Sequence, residues 1–403
     1  MTGEAVFDAK HRPRASSSQH TRALDGVRGL AILAVLLHHF TVVPAGGAAS
    51  IWILRFAEFG AHGVDLFFVL SGFLITSQLL RSRLDSSAIR EFYMRRALRI
   101  IPLYFAVLAV VFLLLPTALR ATGFDQKLST QIDTANNWPW YVFFVSNFRN
   151  ALDGRFTNPA LDVSWSLAIE MQFYLLWPWV IRLCSRRELK RVLWAVILIS
   201  PLLRGAAWAA GANWIQVLVL PFLRADALLW GAIVAVWIDE KRAGLSLAIS
   251  ALRRLQAVAL CVVPFVFLLL LAGNWDRQNA FTATLGYSLI GLVAAGAFAC
   301  VLTGRGDGRL RRFLETPTLV FLSPYAYGLY LFHIPLRALL RDTVFKPSGF
   351  AVWPFPPVGG QLVFYLLAGV VCFVPAIVSW HFWEKRFVTW GHRLTASAAS
   401  RSL

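Results

Sequence analysis

The sequence predicts an all-α polytopic membrane protein with about ten transmembrane helices and one short interfacial or re-entrant segment. Three observations carry this prediction. Of 403 residues, 58% are hydrophobic and only 15% charged, the mean hydropathy is +0.60, and long apolar runs recur along the chain. A soluble chain of this length needs more charge to cover its surface, so the bilayer is the expected solvent.

Runs of roughly 18–22 apolar residues cross a ~30 Å hydrocarbon core as helices. They fall at 27–46, 62–81, 98–117, 164–183, 190–209, 218–237, 255–273, 281–302, 319–340 and 361–381. The segment WPWYVFF (138–144) is too short to cross and is expected to lie in the interface or re-enter. Sixteen Trp and 31 Phe suit the two interfaces and the lipid face. Cys184, Cys261, Cys300 and Cys372 lie in or beside apolar runs without metal-ligand spacing, so they read as buried inert thiols, and no metal is expected.

The net charge of +18 is a topology signal rather than a nucleic-acid footprint. With the N-terminus in the cytoplasm, 28 Lys and Arg fall on the inner side and 9 outside, while Arg204 and Arg224 lie within spans. That bias predicts both termini inside, in the bacterial inner (cytoplasmic) membrane. The basic excess adds attraction to anionic lipid or an anionic cytosolic ligand. Residues 1–22 are expected to be a disordered cytoplasmic N-terminus. They resemble a signal n-region, but no small-residue cleavage site follows. Residues 23–387 form the expected integral-membrane domain and 388–403 a cytoplasmic tail, with no appended soluble domain and no internal repeat.

Ionisable groups inside a span are expensive unless they face protein or water, so each is a functional candidate. A single one can merely hydrogen-bond a neighbouring helix. Here several share a depth. At ~1.5 Å per residue, His39, Glu170, Arg224 and His333 all come out roughly 10 Å below the outer edge. Asp65 and Asp226 fall close by. Five helices thus bring acid, base and cation into one layer, which favours a site over scattered structural pairs.

Arg95, Arg96 and Arg99 begin the span at 98–117, and Arg28 begins the first. Arginine forks suit phosphate oxygens, although orientation alone also requires basic residues there. Arg28 and His39 are eleven residues apart, close to three helical turns, so one stripe of one helix joins the cationic mouth to the polar layer about 16 Å away. His38 points about 100° aside and reads as a packing residue.

These residues resemble the acyltransferase-3 family of membrane O-acyltransferases. LDGVRGLAILAVLLHHF (24–40) has its Arg, ten residues, His pattern, with Arg28 and His39 at that spacing. GVDLFFVLSGFLIT (63–76), RRALRIIPLY (95–104), SWSLAIEMQFYLLWP (164–178), LRADALLWG (223–231), SPYAYGLYLFHIP (323–335) and WEKRF (383–387) are similar to later family segments, in order along almost the whole chain. Met171 departs where many members carry a second acid after Glu170, which puts a carboxylate pair there in doubt. Arg386 stands where Pro is frequent.

The resemblance implies transfer of an acyl group, often acetyl, from cytosolic acyl-CoA to an extracytoplasmic carbohydrate. Some members carry a fused extracytoplasmic esterase-like domain. None is expected here, so direct transfer is the simpler reading. Acyl-CoA would be a co-substrate rather than a bound cofactor. The expected acyl-CoA set is Arg28, Arg96 and Arg99 with Arg95, Tyr104 and the small pair Ser71–Gly72. His39 would be the general base or would itself accept the acyl group, oriented by Glu170 or Asp65. Trp165, Ser166, Arg224, Asp226 and His333 would bind the acceptor or the developing oxyanion. The partners expected are acyl-CoA, a carbohydrate and membrane lipid, without nucleic acid. The main rival is a transporter or flippase, since intramembrane charges also mark substrate paths; it would commonly show two related halves.

Overall fold

The computed structural model describes residues 17–42, 47–82, 86–117, 137–158, 160–304, 308–341 and 357–401. Among them the regular structure is helical throughout. In chain order the helices are α1 Ser17–Phe40, α2 Gly47–Gly60, α3 Gly63–Arg81, α4 Ser86–Ala109, α5 Trp138–Val142, α6 Ser146–Asp153, α7 Ser164–Leu183, α8 Arg186–Ala209 and α9 Trp214–Val219. They continue with α10 Pro221–Arg242, α11 Ser246–Leu271, α12 Tyr287–Thr303, α13 Arg309–Leu314, α14 Pro317–Leu322, α15 Ala326–Leu340, α16 Pro357–Ser379 and α17 Lys385–Arg401. Wide turns at Val110–Leu114, Thr282–Gly286 and Trp380–Glu384 extend α4, lead into α12 and join α16 to α17.

The chain is an all-α, multi-pass membrane protein. Among the described residues, nine helices are long and apolar enough to cross a membrane, and each overlaps one of the ten expected spans. The tenth, 164–183, forms the 20-residue α7 but is not among the nine. Ser164, Ser166, Glu170 and Gln172 make it polar for a span, and it packs on α3 and α6. The first span is displaced. It was expected at 27–46, whereas α1 starts at Ser17 and stops at Phe40, so His39 sits in its last turn. Residues 1–16 of the expected disordered N-terminus lie outside the described residues.

At the centre runs α10, buried from Leu223 to Ile238 apart from Ala225, and apolar around its circumference except for Arg224 and Asp226. It lies along α3, and glycine makes that approach possible. A Cβ on Gly72 would stand 1.8 Å from the Leu228 carbonyl oxygen, and one on Gly231 1.9 Å from that of Val69. Small residues let membrane helices pack backbone to backbone. Around this pair α1 packs on α3, α14 and α15, while α8 and α12 cover α10. Helices α8, α11 and α16 turn Leu198, Leu202, Leu260, Leu268, Leu366 and Val370 outward, a lipid-facing surface. The short aromatic segment does not cross. In it α5 buries Tyr141, whose carbonyl accepts the Tyr104 hydroxyl at 3.1 Å, and Phe144 stacks on the Tyr104 ring at 4.7 Å.

Candidate functional site

Two cavities meet inside the bundle. One, of about 120 Å³, is lined by Arg28 of α1, Ser71 of α3, Arg96 and Arg99 of α4, and Ser166, Glu170 and Tyr174 of α7. The other, of about 290 Å³, is lined by His38, His39, His62, Asp65, Trp165 and Arg224, with loop residues Asp162 and Arg277. Val64 and Tyr330 line both. The Arg28–His39 stripe of α1 therefore runs from the first cavity to the second.

In the arginine cavity, Arg28 donates through Nη1 to Asp25 and Ser323, each at 2.8 Å, which fixes it at the start of the buried part of α1. The Arg96 guanidinium lies over the Phe92 and Tyr174 rings at 5.8 and 5.6 Å. Glu170 accepts from Ser71 Oγ at 2.6 Å and from the Tyr174 hydroxyl at 3.0 Å, one turn along its own helix. Apolar walls, Leu70, Leu74, Ile75 and Ile100 among them, complete the space. Such a chamber suits a ligand with anionic oxygens at one end and an apolar stem.

In the histidine cavity, backbone carbonyls dictate where the protons sit, because a carbonyl only accepts. His333 directs Nδ1–H to the carbonyls of Tyr330 at 2.8 Å and Leu329 at 3.1 Å, so its Nε2 is an acceptor. That Nε2 faces His39 Nδ1 at 3.3 Å. His39 Nδ1 also meets the Val35 carbonyl at 3.0 Å and must carry the proton. The unshared pair of His39 is left on Nε2, and a neutral imidazole held this way is built to take a proton there.

Around this pair several charged groups are tied to partners. Asp65 accepts from His62 Nδ1 at 2.7 Å and pairs with Arg224, whose guanidinium lies 3.7 Å from the Tyr287 ring centroid. Arg224 is buried, and its Nε and Nη1 have no hydrogen-bond partner among the described residues. His38 turns Nδ1–H to the Ala57 carbonyl, and its Nε2 accepts from Arg277 Nη2 at 3.1 Å. Arg277 also binds Glu58 at 2.6 Å. Asp162 lies on the loop before α7, where burial pushes its carboxyl up to about 7 against the pull of the Asn158 backbone and Arg337.

The geometry sorts the expected residues differently from their depths. His39, Asp65, Trp165 and Arg224 line the histidine cavity, and His333 backs it through His39. Glu170 and Ser166 belong to the arginine cavity with Arg28, Ser71, Arg96 and Arg99. Neither carboxylate proposed to orient His39 is bonded to it. Its partners are His333 and Val35, because Asp65 is taken by His62 and Arg224, and Glu170 by Ser71 and Tyr174.

Besides His333, four expected residues line neither cavity. Asp226 is two residues from Arg224, about 200° around the helix, and forms a fully buried two-pronged pair with Arg204 at 3.0 and 2.9 Å. Gly72 is pressed on α10, Tyr104 on α5, and Arg95 reaches Glu91 and Thr395, the latter on α17. The sequence reading missed His62, Glu58, Asp162, Trp214 and Arg277, and it set His38 aside as packing. Several of these sit at helix ends or on loops, where helical spacing carries no signal. Among the described residues no three His, Cys, Asp or Glu side chains gather as metal ligands.

Residues 21–381 match the family profile described as an acyltransferase domain, acyltransferase-3. The Bacillus subtilis (strain 168) protein YrhL, provisionally named a peptidoglycan O-acetyltransferase, is 28% identical over 397 residues, covering 93% of this chain and 56% of its own. The O-acetyltransferase OatA of Staphylococcus aureus (strain NCTC 8325 / PS 47) is 27% identical over 351 residues, covering 83% of this chain and 53% of its own. The chain thus spans about half the length of these curated relatives. No solved structure matches. With the arginine–histidine stripe, the ordered segments around both cavities and a profile match over most of its length, the chain belongs to the acyltransferase-3 family of membrane O-acyltransferases.

Proposed function

We propose that this chain transfers an acyl group, acetyl in the first instance, from cytosolic acyl-CoA to a hydroxyl of an extracytoplasmic or lipid-linked carbohydrate. The observation that carries the reading is the meeting of an arginine-lined cavity and a histidine-lined cavity at Val64 and Tyr330. The names of the relatives support acetyl transfer, and YrhL's name supports a glycan acceptor. Residues 23–387 form the active unit, in the bacterial inner membrane, with the arginine cavity toward the cytoplasm as the basic-residue bias requires.

In this mechanism Arg28, Arg96 and Arg99 hold the CoA phosphates. The pantetheine arm follows Ser71 and the apolar wall toward Tyr330, and the thioester carbon enters beside His39. An acceptor hydroxyl in the histidine cavity gives its proton to His39 Nε2 as its oxygen attacks. The new C–O bond forms, the C–S bond breaks, and the imidazolium returns the proton to the departing thiolate. His333 Nε2 receives the His39 Nδ1–H and steadies the imidazolium. The two unpartnered nitrogens of Arg224, Nε and Nη1, are donors available to the oxyanion or to the acceptor. Trp165 offers a ring face to the sugar.

Mass analysis of envelope glycans tests this in cells with wild-type protein, no protein, or His39→Ala at matched membrane abundance. An acyl mass present only with wild type is the expected result. Glycans of equal mass in all three, with export differing, would make the protein a carrier instead.

A further inference from the structure

A third cavity, of about 360 Å³, adjoins the histidine cavity, and Trp214 and Arg277 line both. Their shared wall is firmly held. The Arg277 guanidinium sits over the Trp214 ring at 5.0 Å, donates to Glu58 at 2.6 Å and to His38 Nε2 at 3.1 Å. The His38 ring meets that of His39 edge-on at 4.8 Å. One row of contacts therefore leads from the third cavity to the proposed base.

The far side of this trough is the loop after α11, carrying Trp275, Asp276 and Gln278. Asp276 and Gln278 are exposed, and the Asp276 carboxylate caps the Gln278 amide at 2.9 Å. The trough thus combines indole surfaces with carboxylate, amide and guanidinium groups. Its two acids, Glu58 and Asp276, balance its two cations, Arg55 and Arg277. A phosphate ligand would call for unopposed cations, and an acyl chain for an apolar wall. Indole surfaces beside planar polar groups in charge balance suit a neutral ring that has a C–H face and a rim of hydroxyls.

We infer that the acceptor is bound as an oligosaccharide, the reacting sugar beside His39 and the adjoining sugar in the trough between Trp214 and Gln278. The inference rests on the proposed carbohydrate acceptor and specifies its minimum length. The glycan runs alongside Trp214 and Arg277, the two residues that line both cavities, and they set the direction from which the chain enters.

The test uses the full chain in lipid nanodiscs with acetyl-CoA, and N-acetylglucosamine and its β-linked tetramer as acceptors. For the wild type, kcat/KM for the tetramer is expected to exceed that for the monomer by about tenfold, the worth of one or two hydrogen bonds. Gln278→Ala should raise KM for the tetramer and bring the ratio close to one, while kcat on the tetramer is retained. Asp276→Asn, which keeps an oxygen for the Gln278 amide, should lower the ratio too and guards against a collapsed loop. Equal kcat/KM for both lengths in the wild type, or an unchanged ratio in both variants, would overturn the trough. A fall in kcat shared equally by both lengths would overturn it as well. Transfer to neither length would overturn the proposed acceptor class itself, a result distinct from the others.

Discussion

The two cavities share a wall yet hold different chemical groups ready. In the arginine cavity Arg28, Arg96 and Arg99 line the space with one carboxylate, Glu170, which is occupied by two hydroxyls, and Arg28 is also tied to Asp25. In the histidine cavity, where Arg337 and Arg341 also line the wall, Arg224 is tied to Asp65 and Arg277 to Glu58, and His38, His39 and His333 are each fixed in one tautomer by carbonyls. Excess positive charge anchors an anion. Carbonyls that fix the tautomer leave the lone pair on His39 Nε2 available for a proton. Anchoring and chemistry are thus assigned to separate chambers, and a substitution in each should fail in a different kinetic constant.

The largest effect is expected at His39. His39→Gln keeps bulk and polarity but removes the base, and kcat for acetyl transfer should fall by about 10²–10⁴. The KM for acetyl-CoA should hardly move, because the donor is anchored elsewhere. Initial rates in membranes, normalised to protein abundance, measure this; a loss under about tenfold would break the division at its centre. Next come Arg28→Ala and Arg99→Ala. Each removes a charged donor worth about 1.5–3 kcal/mol, so KM for acetyl-CoA should rise roughly 10–100-fold with kcat little changed. A fall in kcat without a rise in KM would mean that the arginine cavity takes part in the chemistry.

How far this was legible in the sequence depends on whether a residue's role follows from its own helix. The spans were legible, because about twenty apolar residues cannot be stable otherwise in water or lipid. The Arg28–His39 stripe was legible for the same reason: spacing along one helix fixes a shared face. Glu170 and Asp65 were both offered as partners of His39, and neither is bonded to it, because depth along an axis says nothing about which neighbour a side chain meets. The estimate for His39 also assumed a helix running to 46, whereas α1 ends at Phe40. Asp226 could have been set apart by rotation alone, since residues two apart face opposite ways on a helix. Gly72 read as room for a ligand, and the structure uses that room for α10. The row from Trp214 to His38 joins α9, a loop, α2 and α1, a meeting that only tertiary packing creates.

A smaller effect sharpens the account of the histidine cavity. His333→Ala removes the acceptor facing His39 Nδ1, one neutral hydrogen bond of about 0.5–1.5 kcal/mol, so kcat should fall by roughly 2–10-fold. His333→Gln can present an amide oxygen to the same proton and should recover part of the loss. An Ala variant as damaged as His39→Gln would instead mark His333 as a reacting group.

The smallest effect concerns Asp162, the acid of the histidine cavity that lies on a loop. Burial raises its carboxyl to about 7 from 3.8. The folded state therefore binds this proton more tightly than the unfolded state does. The stability that follows is fully present below the unfolded value and is lost as pH rises through about 7. Asp162→Asn cannot titrate, so the wild-type thermal midpoint should decline relative to the variant between about pH 4 and pH 8. Thermal unfolding of the two proteins in the same lipid, across that range, measures the divergence. Parallel midpoints would mean that water reaches Asp162 freely. The histidine cavity would then be an open basin, and the contacts of His39 with Val35 and His333 alone, without exclusion of water, would have to hold its lone pair ready.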